Sequence, residues 1–242
     1  MAPSKQSSIN IVLGAANIGD SSADPMARFD TAEEACEAMD RAHREGKIKH
    51  WGICNYTAPE VESMVNICEE NNFIKPSVYH AQYNPIVRGG EKDLFPLLRR
   101  HGIAFIAYSP AGAGFFAGNH KKVQPGGRFD QSLFLGGRYS SFYLKKSIME
   151  VTERALDIAS QHDISGHTPA LRWTAHHSAL NMELGDAILI GASSIRQMES
   201  NIDAIGASPL PDEVVIALEA IYGEIGDKVS YYMIGEDLIY ET

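Results

Sequence analysis

Four short stretches of this 242-residue chain end an apolar run on residues able to do chemistry. "HWGICNY" (His50–Tyr56) stops a buried-strand pattern on a thiol, Cys54, beside a carboxamide, Asn55. "VYHAQYN" carries His80, with Gln82 and Asn84 just beyond. "AYSPAGAGFFAGN" carries Tyr108 and Ser109 ahead of a Gly-rich run. "LIGASSIRQMESN" sets Ser193 and Ser194 at a predicted helix start, with Gln197 and Asn201 one and two turns on. The last is physically the most specific: free N–H groups and the helix dipole there favour a phosphate. Arg196 adds a charge-assisted contact, and Gln197 and Asn201 share a face that suits an adenine. A plainer reading stays open beside it, because Ser194 and Gln197 also have the spacing of a capping box. Cys54 likewise reads as a nucleophile if His80 acts as its base. His176 and His177, at a predicted helix end, read as structural.

Strands and helices must position these groups. Apolar runs predict strands at Ile9–Gly14, 48–53, Ser77–Ala81, Ile103–Pro110 and 186–191. Unbroken runs of this kind suit parallel strands covered on both faces. Helical patterns fall between them. One over 29–46 opens with Thr31 and Glu34 in capping-box spacing, and one starts at Thr57 with Val61, Met64, Val65 and Cys68 on one face. Further helices are predicted over 93–102, 147–162, 168–177, 193–205 and 211–225, and a Gly-rich loop from Ala111 to about Tyr139. Alternating strand and helix predicts an α/β fold with a parallel sheet of about five strands. With no linker or charge block, residues 1–242 read as a single domain.

The formal charge of −10 disfavours nucleic acid or an anionic membrane as partner. No run of about 18 apolar residues spans a membrane, and no secretory h-region opens the chain. Three cysteines without C-x-x-C spacing argue against a disulfide framework or a structural zinc site. The expectation is a soluble, cytoplasmic protein without metal.

"EGKIKHWGICNY", "YSPAGAGFFAG", "PGGRF", "LRWTAHHS" and "ILIGASSIRQMESN" together resemble the aldo-keto reductases, most of all the aflatoxin-aldehyde reductase branch and related fungal enzymes. The resemblance runs from Ala35 to Ile225, with a weaker match of "IVLGAANIGD" to the first barrel strand. It implies an incomplete TIM-type (β/α) barrel and NADP(H) as cofactor. Cys54, Asn55 and His80 would hold the nicotinamide carboxamide, and Tyr108 would stack on its ring. Ser109, Pro110, Ala111, Gly112, Gly114 and Asn119 match the loop over the pyrophosphate, and Arg128 a further cofactor contact. Ser193, Ser194, Arg196, Gln197 and Asn201 would take the adenosine end, and Arg138 a substrate contact.

The chain departs from the family pattern at three places. Cys54 stands where the family has Ser, and a thiol is the poorer hydrogen-bonding group. His80 stands where it has Gln. The Asp, Tyr, Lys and His tetrad has no counterpart, because about three βα units are missing between the first strand and the 47–55 strand. No Tyr occurs before Tyr56, and Asp30 reads better as part of a helix start, so no catalytic residue is assigned. Loss of a general acid typically costs roughly 10²–10⁴ in rate. The expected function is an NADPH-dependent oxidoreductase acting on an aldehyde or ketone in secondary metabolism. The alternatives are a non-redox isomerase or cyclase, and a silent binding or assembly protein. The expected partners are a small carbonyl substrate and, through open sheet edges, another copy of the chain.

Overall fold

The computed structural model describes the backbone of Val12–Gly14, residues 31–226 and Val229. Asp30 and the start of the first expected strand lie outside the described residues. In chain order the elements are β1 (Val12–Gly14), α1 (Ala32–Arg44), β2 (His50–Cys54), α2 (Ala58–Glu70) and β3 (Val78–Gln82). Then come α3 (Leu94–His101), β4 (Ala104–Tyr108), α4 (Phe134–Tyr143), α5 (Lys146–Gln161) and α6 (Thr168–His176). The chain continues with β5 (Ala187–Ile188), α7 (Ile195–Gly206) and α8 (Asp212–Ile225). The sheet order is β1-β2-β3-β4-β5, and the pairs β1/β2, β2/β3 and β4/β5 are parallel. Parallel strands joined through helices give the topology of a partial (β/α) barrel.

The described residues pack as two compact units. The first holds those up to His80 together with Asp93–Phe105. Its helices start where the sequence supplies caps. The Thr31 hydroxyl accepts from the Glu34 N–H at 3.2 Å, and Thr57 with Glu60 forms a complete capping box. Behind the caps, α1 buries Ala35, Cys36 and Met39, and α2 buries Val61, Met64, Val65 and Cys68. Trp51 on β2 is wholly buried, and its indole N–H donates to the Ile74 carbonyl at 3.0 Å. Phe95 of α3 stacks on Phe105 of β4 at 4.5 Å between ring centroids.

The second unit holds Ala81–Lys92 and the described residues from Ile106 onward. Here Arg88 lies over the Trp173 ring at 4.9 Å and donates two hydrogen bonds to Glu91. The Tyr83 hydroxyl donates to the same carboxylate at 2.6 Å and accepts from the Ala179 N–H at 3.0 Å. These links fasten the segment after β3 to α6, which packs on α7 and α8.

Two expectations are corrected. The predicted loop up to Tyr139 contains the start of a helix, α4. Gly136 and Gly137 hide its pattern, yet Tyr139, Phe142 and Tyr143 bury one helical face. Gly136 is needed because a Cβ there would run into the Asp130 backbone. The strand expected to be buried over 186–191 is only Ala187–Ile188, and Leu189 is 52% exposed. Ala187 is exposed and Ile188 and Ile190 are only half-buried, so the apolar run lacks the cover its pattern implies.

Candidate functional site

The first unit supplies a thiol, a carboxamide and an imidazole. β2 ends at Cys54 and β3 carries His80, and the two are register partners in adjacent parallel strands. Asn55 follows with φ of 60°, a left-handed backbone that asparagine tolerates better than most residues. Both Cys54 and His80 are half-buried. Burial pushes the Cys54 thiol above its ordinary range and the His80 imidazole below its own. Both groups are therefore neutral at neutral pH. A neutral pair can orient a polar ligand, whereas a nucleophilic cysteine needs its thiolate stabilised.

The second unit supplies two further groups of residues. At the end of β4, Ser109 adopts φ of 51°, and a tight turn follows in which the Gly112 N–H donates to the Ser109 carbonyl at 2.9 Å. Ala113 (φ 54°) and Gly114 (φ 97°) continue the left-handed turns, so this stretch coils its backbone amides closely. A Cβ at Gly114 would collide with the Asn119 side chain, which fixes glycine there. Pro110 and Ala111 link Ser109 to this coil. Asn84 holds it in place. Its amide N–H groups donate to the Ser109 carbonyl at 3.0 Å and to the Tyr143 hydroxyl at 3.2 Å. Its carbonyl accepts from the Ile86 and Val87 N–H groups at 3.0 and 3.2 Å. Gln82 also reaches the Tyr143 hydroxyl.

Tyr143 is fully buried and stacked on Phe115 at 5.0 Å, and burial drives its phenol well above the usual range. It is thus a fixed scaffold group rather than an acid. The sequence pattern missed it because the two glycines of α4 obscure the i, i+3, i+4 spacing of Tyr139, Phe142 and Tyr143. Arg128 is exposed with its guanidinium 5.9 Å from the centroid of the Tyr139 ring, and Arg138 of α4 lies 5.7 Å from that of Phe134.

At the start of α7, Ser194 is the N-cap and its hydroxyl accepts from the Gln197 N–H at 3.2 Å. The return arm of the box is displaced by one residue. The Gln197 carbonyl accepts from the Ser193 backbone N–H at 2.8 Å and from its hydroxyl at 2.9 Å. The Gln197 amino group faces the His167 ring nitrogen at 3.4 Å. Ser193, Ser194 and Arg196 are exposed, Gln197 is half-buried and Asn201 is buried. This arrangement presents two hydroxyls and a guanidinium at the positive end of a 12-residue helix. Gln197 spends its carboxamide on shaping that end. His176 and His177 make backbone links instead: His176 lies 3.0 Å from the Ile205 carbonyl, and His177 accepts from the Leu210 N–H at 2.9 Å.

Among the described residues no group of His, Cys, Asp or Glu is placed to hold a metal ion. None of the helices there is long and apolar enough to cross a membrane.

Comparison with known proteins bears on the chain as a whole. The Aldo/keto reductase family pattern matches residues 7–223. An aldo-keto reductase of Pseudocercospora fijiensis is 36% identical over 207 residues, covering 82% of this chain and 68% of that protein. Human aldo-keto reductase family 7 member A3 is 36% identical over 193 residues, covering 76% of this chain and 58% of that protein. Human aflatoxin B1 aldehyde reductase member 2 is 34% identical over 208 residues, covering 83% and 58%. The chain therefore spans between 58% and 68% of the length of these relatives. With a family match over most of its length and the strand order of a partial barrel, this chain belongs to the aldo/keto reductase family.

Proposed function

We propose that the chain is an NADPH-dependent oxidoreductase that acts on the carbonyl of an aldehyde or ketone. The reading places it in the cytoplasm, in secondary metabolism, as a single reductase-like domain. The observation that carries the proposal is the start of α7, with exposed Ser193, Ser194 and Arg196 at a helix N-terminus. A phosphate there meets the positive end of the helix, the Ser194 hydroxyl, whose own proton is left to donate, and a guanidinium. The coil from Ser109 to Asn119 fits the same ligand, since its glycines and left-handed residues let a pyrophosphate approach the backbone. NADPH, when bound, supplies hydride. Asn55, Cys54 and His80 would hold its carboxamide, Tyr108 its ring face, Asn201 its adenine and Arg128 its phosphates. Arg138 would meet the substrate. The name of the human aflatoxin B1 aldehyde reductase supports an aldehyde carbonyl as the substrate class.

A second reading is favoured by one observation: Tyr143, which shares Asn84 with the coil after β4, is sealed in the core. On that reading the chain binds NADPH without reducing carbonyls, as an isomerase, a cyclase or a binding protein. Fluorescence titration with NADPH and NADH separates the readings. Binding that prefers NADPH about tenfold or more, and that Arg196→Ala weakens, is expected on both. Consumption of NADPH with an aldehyde panel supports the reductase, at a rate roughly 10²–10⁴ below that of an enzyme with its general acid. Binding without consumption supports the second reading. No binding at millimolar cofactor overturns both. Light scattering tests whether another copy pairs along the β5 edge; a monodisperse monomer would exclude it.

A further inference from the structure

We propose that Cys36 and Cys68 form an oxidative modification site, which hydrogen peroxide closes to a disulfide that staples α1 to α2. The two residues lie on facing sides of packed helices, and each is 0% exposed. The Cys36 Sγ lies 4.0 Å from the Met64 carbonyl oxygen. In an α-helix that carbonyl accepts from the N–H four residues on, here Cys68, so the Cys36 sulfur sits over the turn that carries its partner. Both sulfurs are thus enclosed in the same α1/α2 contact. Sequence spacing conceals the pair, because helix packing rather than a C-x-x-C motif brings the sulfurs together.

The contact makes the two thiols unequal. The Cys68 side chain lowers the Cys36 thiol below its ordinary value against the opposing effect of burial, while Cys68 is raised by Cys36 and by burial. Cys36 is therefore the attacking sulfur, since peroxide reacts with thiolate. Its thiolate bonds to one peroxide oxygen, the O–O bond breaks, and the departing hydroxide takes a proton to become water. The Cys68 sulfur then attacks the Cys36 sulfenic acid. The S–S bond forms, the S–O bond breaks, and a second water leaves with the Cys68 proton. Two thiols and one peroxide give one disulfide and two waters.

Cys54 provides an internal reference, because it is half-buried and lies on β2 outside the pair. The 242-residue chain is treated with hydrogen peroxide, denatured, alkylated and digested without reductant. Mass spectrometry is expected to find the Cys36 and Cys68 peptides joined, lighter by two hydrogens, and separated again by dithiothreitol. The unfolding midpoint is expected to rise by roughly 5 °C, because the cross-link restricts the unfolded chain. Cys68→Ser should abolish the joined peptide and the rise. Because Cys68 is buried, Cys36→Ala serves as the second variant, and the unmutated chain alone carries the mass test. Recovery of both cysteines as alkylated thiols, under peroxide that consumes Cys54, would overturn the proposal. So would sulfinic acid at either position, or a disulfide to Cys54.

Discussion

Asn84 is wholly buried, and its carboxamide links four partners. Two carboxamide donors meet Ser109 and Tyr143, while its oxygen takes the two amides that turn the chain after β3. Removing a buried group of this kind costs more than the bonds it made, because its partners keep their own desolvation penalty. Asn84→Ala should therefore destabilise the chain by about 2–4 kcal/mol, read from urea unfolding. It should also weaken NADPH binding, since the left-handed Ser109 backbone loses its tether. Asn84→Asp tests the polarity of the site: it keeps the acceptor but cannot donate to the Ser109 carbonyl, so it should recover only part of the loss. An alanine variant as stable as the parent would show that the turn after β4 holds itself. At the same scale, Ser194→Ala should cost about 1 kcal/mol as the loss of an N-cap. Ser193→Ala should leave stability within about 0.5 kcal/mol, because the Ser193 backbone N–H still reaches Gln197. The two serines look alike in sequence and differ in duty: Ser194 caps the helix, and Ser193 ties Gln197 back to it.

Among the elements, α4 shows where pattern stops being informative. Helix propensity counts each glycine against a helix by about 1 kcal/mol, so "LGGRYSSFY" reads as loop. Packing decides otherwise, because Tyr139, Phe142 and Tyr143 bury one face and Gly136 lets the helix approach the Asp130 backbone. Gly136→Ala would improve the propensity locally yet should destabilise the chain by about 2 kcal/mol or more through overpacking. Gly137→Ala, where a Cβ meets nothing within 4 Å, should be neutral or stabilising. Equal effects of the two would remove the packing argument; unfolding midpoints of both variants decide it. By contrast α1, α2, β2 and β3 were legible almost residue by residue. Their caps, apolar spacing and strand ends are local, and Thr31, Thr57 and Cys54 state them in the sequence itself. The start of α7 was half legible. Its serines could be placed at the helix N-terminus, but the turn of Gln197 toward Ser193 and His167 arises from packing of α6 on α7. The apolar run at 186–191 misled for a related reason: hydrophobicity tells what a residue can bury, not whether a neighbour is there.

For the molecule as a whole, the titrating groups predict a bounded window of stability. Burial is the first cause of the lowered imidazoles of His80, His120, His167 and His177, spread over both units. Each binds its proton more weakly folded than unfolded. As pH falls through the unfolded value of about 6.5, the unfolded chain gains protons first, so stability must drop. The opposite edge comes from groups whose folded values are raised. Cys54 is raised by burial, and Tyr83 and Tyr143 are raised chiefly by burial. Above their ordinary values of 9 and 10 the unfolded chain loses protons first, and stability drops again. Exposed carboxylates such as Glu69 and Asp130, lowered by hydrogen bonds, add a small loss only once pH falls below about 4.5. Urea midpoints should therefore be greatest between about pH 7 and pH 9 and decline on both sides. His80→Gln removes one titrating group while keeping a polar side chain, so it should flatten the acid limb and leave the alkaline limb unchanged. A midpoint that stays level from pH 8 to pH 5 would mean that the four imidazoles take up protons equally in both states, and that their burial has no hold on the fold.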